Sequence, residues 1–186
     1  MVCDIGYSTP LGGTPPTEPA DPAVGRAITL SDIASFRASA GNQAMEPDGW
    51  IVVGLDTNFY ASASQHTRSG SLLDRPAEVR FTPVAYRWHY GDGTGQVVST
   101  PGASWSAQGL PEFSRTPTSH VYAAPGSYVI TLTVHFSAEY RWAGSGWTPI
   151  SGTLAVPANE LVATAGDIRT VLVAQHCAQN PSGPGC

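Results

Sequence analysis

The fold is decided by two stretches, Tyr86-Arg87-Trp88-His89-Tyr90-Gly91-Asp92-Gly93-Thr94 and His120-Val121-Tyr122-Ala123-Ala124-Pro125-Gly126-Ser127-Tyr128-Val129-Ile130-Thr131-Leu132-Thr133-Val134. Both alternate with a period of two. Tyr86, Trp88 and Tyr90 take one face and Arg87 and His89 the other. Tyr128, Ile130, Leu132, Val134 and Phe136 oppose Val129, Thr131, Thr133, His135 and Ser137. Such alternation marks half-buried strands. Trp88 is expected to point inward and fill the centre of a sandwich, with His89 outward. Gly91-Asp92-Gly93 reads as a turn: glycine tolerates positive φ, and a carboxylate can accept backbone N–H bonds. Pro125-Gly126 is expected to form a type II turn, and Tyr128 to open the next strand on the core face. Tyr122 is placed to send its hydroxyl back to the backbone, as in a tyrosine corner.

The same period extends outward. Ile51, Val53 and Leu55 alternate with Val52 and Gly54, Phe59 and Ala61 with Tyr60 and Ser62, and Val79 and Phe81 with Arg80. Residues 139–156 read as a hairpin with its tip at Gly144-Ser145-Gly146, and residues 160–165 and 168–176 as further strands. Before them, Thr29–Arg37 reads as a short helix that Thr29 or Ser31 caps, with Ile33 and Phe36 on one face. Residues 4–25 carry five prolines and read as an extended strap or linker. The expected architecture is an all-β antiparallel sandwich with a Pro-rich N-terminal strap, one short helix and extra C-terminal strands. The expected division is an N-terminal segment at 1–48, a sandwich at 49–177 with a long surface loop at 94–118, and a tail at 178–186.

The two stretches, in this order, resemble the PKD domain, an immunoglobulin-like repeat with an aromatic-x-Trp-Asp-Phe-Gly-Asp-Gly turn, a His-x-Tyr, a Pro-Gly and a Tyr-x-Val-x-Leu-x-Val strand. The resemblance covers roughly residues 55–136 of this sequence. His89 stands where that family usually has Asp, and Tyr90 where it has Phe. Residues 64–83 and 94–118 exceed a minimal repeat and are expected to add a hairpin and a flap. The resemblance implies a non-catalytic secreted or cell-surface module that docks or spaces proteins. It gives Tyr86, Trp88, Gly91, Asp92, Gly93, His120, Tyr122, Gly126 and Tyr128 structural roles.

Composition narrows the function. The 186 residues hold 9 basic and 14 acidic side chains, a net charge of −5. With no basic surplus to neutralise phosphates, a nucleic-acid binder is excluded. No apolar run approaches the ~18 residues of a membrane span, so this segment inserts in no membrane. All nine basic residues are Arg, so a Lys–Asn isopeptide crosslink is impossible.

Cysteine use points to an oxidising compartment. Cys177 and Cys186 bracket a loop of turn residues that can bring them to disulfide distance. Cys3 is then spare, free to pair with a cysteine upstream or with a tail cysteine instead. Met1-Val2-Cys3 has neither a charged start nor an apolar stretch, and reads as a start downstream of any leader or anchor. The expected location is extracellular or on the cell surface.

Chemistry is sparse. His66, His89, His120, His135 and His176 form neither His-x-His nor His-Glu-x-x-His, so no metal or other cofactor is expected. Asp92 lacks the neighbouring oxygen ligands calcium needs. No nucleophile elbow or phosphate loop occurs. Glu78, Asp92, Glu112 and Glu139 are available as carboxylates, but nothing pairs them across a cleft, and no enzyme activity is expected. The binding candidates are aromatics off the expected core face: Trp105 in the long loop, and Tyr140, Trp142 and Trp147 at the hairpin tip. The partner is a protein or, alternatively, a glycan stacked on those rings.

Overall fold

The computed structural model describes residues 26–167. The strap at 4–25, the strand at 168–176 and all three cysteines lie outside them. In chain order the elements are β1 (Gln43–Glu46), β2 (Trp50–Val52), β3 (Asp56–Ala61), β4 (His66–Leu72), β5 (Arg75–His89), β6 (Gly95–Val98), α1 (Trp105–Gln108), β7 (His120–Val121), β8 (Gly126–Trp142), β9 (Thr148–Pro157) and β10 (Leu161–Gly166). The fold is the all-β sandwich expected. A three-stranded sheet, β1-β3-β7, faces a larger one ordered β2-β10-β8-β5-β4, with β6 also on β5 and β9 also on β8. All pairs are antiparallel except β2 with β10.

The long strands β5 and β8 are the spine. They pair from Ala77↔Trp142 to His89↔Thr131. Val79 and Phe81 occupy odd core positions, whereas Tyr86, Trp88 and Tyr90 occupy even ones. A bulge between Pro83 and Ala85 absorbs the change of phase, because one extra residue flips every later side chain to the opposite face. Two runs that read separately in the sequence are therefore one strand. The extra hairpin appears as β4–β5, turned by Leu73 and Asp74, both with positive φ as a type I′ turn requires.

The spine is longer than the sandwich. Near Trp88, its inner face packs on the small sheet, with Phe59 of β3 at 5.8 Å from Trp88 and 5.2 Å from Tyr90, ring to ring. Beyond the bulge no second sheet covers it among the described residues. Residues 26–40 do so instead, laying Ile28, Ile33, Phe36 and Ala40 onto the same core. Phe36 lies against Gly70 of β4, where a Cβ would come within 2.8 Å of its ring, and Leu30 lies against Gly152 of β9. Polar ties hold the covering strip: Ser39 N–H donates to His66 Nε2 (3.1 Å) and Arg68 Nε to the Arg37 carbonyl (3.3 Å).

Two local expectations are corrected here. Residues 29–37 form consecutive turns rather than a helix, closed by Asp32 N–H to Thr29, Ala34 to Ser31 and Phe36 to Ile33. The Asp32 carboxylate accepts from Thr29 N–H, Thr29 Oγ1 and Arg26, and such local side-chain bonds compete with helix formation. Ile33 and Phe36 still share the buried face. The Pro125-Gly126 step is not a type II turn: Gly126 lacks the positive φ this requires and is already the extended first residue of β8, opposite Ala165.

Candidate functional site

The Gly91–Gly93 turn and the His120–Tyr122 segment interlock. Asp92 Oδ1 accepts from Thr94 N–H (2.9 Å) and Thr94 Oγ1 (2.6 Å), and Oδ2 accepts from His120 Nε2 (2.6 Å). The His120 ring stacks on Tyr90 at 4.1 Å, and Tyr122 meets its edge at 4.7 Å. Tyr122 donates its hydroxyl to the Tyr90 carbonyl at 2.9 Å, the tyrosine-corner bond expected. Gly91 is held against β8, where a Cβ would come within 2.6 Å of the Val129 carbonyl. Burial pushes the Tyr90 and Tyr122 phenols well above their ordinary range. Tyr128 packs on Tyr122 from the core side and Tyr86 is buried beside Trp88. The side chains of Asp92, Thr94, His120 and Tyr122 are therefore spent on the fold.

This turn yields two predictions. Tyr122→Phe should cost about 1–2 kcal/mol, because it leaves the Tyr90 carbonyl buried and unpaired, and chemical denaturation would read it. Asp92 supplies the second. Burial pushes its carboxyl up, but bonds from Thr94 and His120 outweigh that and hold it below its ordinary value. A carboxyl depressed in the folded state stabilises above its unfolded pKa of ~4, and that stability is lost as pH falls through the folded value. The stability gap between the native chain and Asp92→Asn should thus be open at pH 6 and narrow towards pH 2.

The aromatic candidates do not assemble. Trp105 is only 3% exposed and is no loop platform. The 94–118 loop folds over the outer side of the small sheet: Trp105 N–H donates to Glu46 (2.8 Å), its indole Nε1 to the Ser114 carbonyl (2.8 Å), and Phe113 packs on its ring. Asn58 of β3 fastens this loop, donating to the Ala103 carbonyl and accepting from Thr116 Oγ1.

Tyr140 and Trp142 continue the inward phase of β8, opposite Val79 and Ala77, and touch edge to face at 4.9 Å. The Arg75 guanidinium covers Trp142 at 4.8 Å. Trp147 lies on the outer face between the guanidinium groups of Arg80 (4.3 Å) and Arg141 (4.5 Å). Trp142 and Trp147 thus stand on opposite faces of the sheet and share no surface. The hairpin tip does border a cavity of about 450 Å³ lined by Gly70, Pro76, Ala77 and Trp142.

Of the candidate carboxylates, Glu78 and Glu139 are also committed. Glu78 pairs with Arg141 at 2.6 Å and Glu139 with Arg80 at 2.7 Å, directly across the strands. Among the described residues, no three His, Cys, Asp or Glu gather as a metal site, and no helix is long and apolar enough to cross a membrane.

The four most exposed large apolar side chains among the described residues lie elsewhere, on the outer face of the β2-β10-β8-β5-β6 half-sheet. Trp50 is 66% exposed, Val162 64%, Val97 55% and Val129 47%. Register makes three of them neighbours: Trp50 pairs with Thr164, two residues from Val162 on the same face, and Val162 pairs with Val129. Thr131 of that face pairs with His89, and Arg87 with Val97. The signal was present in the alternation, where Val129 is apolar in the outward phase of β8 and Trp50 opposes the inward Ile51.

Residues 57–143 match the family model described as the PKD domain, so this part of the chain is similar to one. PKD domains are generally non-catalytic immunoglobulin-like modules, often engaged in protein–protein interaction and found in extracellular or surface proteins. No curated protein and no solved structure matches the chain.

Proposed function

From the match to the PKD domain at residues 57–143 we propose that this chain is a non-catalytic docking module of an extracellular or cell-surface protein, and that it binds a protein partner through the outer face of the β2-β10-β8-β5-β6 half-sheet. The observation that carries this reading is the open apolar stripe Trp50, Val162 and Val129, continued by Val97. Around the stripe the strand residues of this face include Arg87 and His89, whereas the carboxylates of the same sheet face, Glu78 and Glu139, lie beyond the bulge and pair with Arg141 and Arg80. The fitting partner therefore presents an apolar strip flanked by acidic groups. A cleft of about 320 Å³ between Arg87, His89 and Val97 suits one such side chain.

The glycan alternative has less support. Sugar stacking wants coplanar open rings, whereas Trp105, Trp142 and Trp147 are buried or capped by arginine and face three different ways.

A benzophenone photoprobe in place of Val97, in the whole chain displayed on producing cells, tests the reading. We expect intermolecular adducts to protein that Trp50→Ser with Val162→Ser abolishes, and no retention on cellulose, chitin or xylan. Retention on a polysaccharide that is lost in Trp142→Ala with Trp147→Ala would overturn it.

A further inference from the structure

We propose that the cleft beside Val97 is a carboxylate pocket, in which Arg87 and His89 hold one acidic side chain of the docking partner and grip it more tightly once the His89 imidazole takes a second proton. The inference rests on the docking reading and adds to it the chemistry and the regulation of one subsite. Unspent charge, shape and surroundings support it.

The two basic side chains are uncommitted. Arg87 and His89 are both exposed, with Trp88 between them buried on the other face. Two residues apart on one strand, they stand about 7 Å from each other. Across the ladders Arg87 meets Thr133 and Val97, and His89 meets Thr131 and Gly95, so neither faces an acid. Among the described residues neither side chain has a hydrogen bond or an ion pair. Beyond the bulge the same face is built differently, with Arg80 paired to Glu139 and Arg141 to Glu78. The rings of His66 and His120 are likewise engaged, by Ser39 and Ser64 and by Asp92. A guanidinium and an imidazole left without a counterion, in a chain of net charge −5, make a site that a carboxylate from outside completes.

The shape admits that group. The cleft holds about 320 Å³ and is lined by Arg87, His89, Gln96 and Val97 together with the turn at Gly93, Thr94 and Gly95. Gly95 pairs with His89, and a Cβ there would come within 2.5 Å of the Trp88 carbonyl and 3.2 Å of His89 Nδ1. With no side chain at this position, the cleft stays open beside the imidazole.

The surroundings set the direction of the pH effect. Beside His89 stand Thr131 and Thr133 from β8, Gly95, Gln96 and Val97 from β6, and Arg87 from its own strand. Asp92 of the adjoining turn is bound by Thr94 and His120. Glu160 precedes Leu161 and so comes opposite Thr131, one strand further away. A histidine takes its second proton between about pH 5 and 8, so the cleft carries one positive charge above that range and two below it. A bound carboxylate favours the imidazolium, so docking takes up a proton and strengthens as pH falls.

The test titrates the isotopically labelled whole chain with a capped Val-Glu-Val-Glu-Val peptide and its Val-Gln-Val-Gln-Val counterpart, read by amide NMR. The glutamates stay ionised at pH 5.5, because their ordinary value is about 4.3. The Glu peptide should shift the amides of Gly93, Gly95 and Val97 and bind about fivefold tighter at pH 5.5 than at pH 7.5. The Gln peptide should show no such difference. His89→Gln should bring the ratio for the Glu peptide to about one, and Arg87→Gln should weaken its binding at both pH values. A ratio that survives His89→Gln, or shifts centred on another exposed cation such as Arg115, would overturn the proposal. Equal binding of the two peptides over Trp50, Val129 and Val162 would overturn the pocket while keeping the docking face. No shift at either place would contradict both.

Discussion

Trp88→Ala should destabilise the chain by about 3–5 kcal/mol, a large share of the 5–15 kcal/mol typical of a domain. Trp88 is fully buried on β5, between the paired Leu132 of β8 and the ring of Phe59 on β3. Removing it opens a cavity between the two sheets at the point where they meet, and neither sheet can close on it without breaking the ladder. Its indole Nε1 has no acceptor, so the side chain contributes by packing alone. Trp88→Phe should therefore keep the fold, since it retains a ring and removes an unpaired donor. His89→Asp, one residue on and outward, should fall within about 0.5 kcal/mol. Urea denaturation of the three variants separates them. Equal losses at positions 88 and 89 would mean that the faces are assigned the wrong way round.

The second large effect concerns the covering strip. Phe36→Ala should cost about 3–5 kcal/mol even though residue 36 lies outside the PKD match. Its ring is buried against Gly70 and belongs to the same core as Val79, Phe81 and Phe136. If the strip were a loose linker, the loss would be near zero. Gly70→Ala tests the contact from the other side. The added methyl would sit 2.8 Å from the Phe36 ring, and overpacking of this kind costs about 1–3 kcal/mol. A Gly70→Ala loss that disappears in the Phe36→Ala background would show that the two residues act through one contact.

The sandwich was legible because its strands carry a strict period of two and its turns carry glycine and aspartate at the positions that need them. Trp88 inward, His89 outward, the Tyr122 hydroxyl and the Asp92 turn are all set by local pattern. The covering strip was half legible. Ile33 and Phe36 share a face in a helix and in successive turns alike, so the apolar spacing does not tell the two apart. What decides is the Asp32 carboxylate, whose bonds to Thr29 and Arg26 are made in three dimensions. The joining of Val79–Phe81 and Tyr86–Tyr90 into one strand was hidden by the bulge, which breaks the alternation where a turn would also break it.

The binding candidates were the least legible. Trp105, Trp142 and Trp147 are large and lie outside the repeated motif, but the sequence does not show what covers a ring. Trp105 is taken into the long loop by Glu46, fifty-nine residues away. Trp147 is clasped by Arg80 from one strand and Arg141 from another. Long-range partners of this kind leave no local signature. The open stripe was visible only as a phase error, Val129 apolar where its neighbours Thr131 and Thr133 are polar, and its meaning depends on Val162 standing opposite it.

The direct test of the docking face is the partner adduct from position 97 measured in two double variants of known melting temperature. Trp50→Ser with Val162→Ser should melt within a few degrees of the native chain and lose the adduct. Trp142→Ala with Trp147→Ala should melt distinctly lower, and at a temperature where it remains folded should keep the adduct. An adduct that survives the first pair and vanishes in the folded second pair would contradict the assignment of the docking face and return the site to the hairpin.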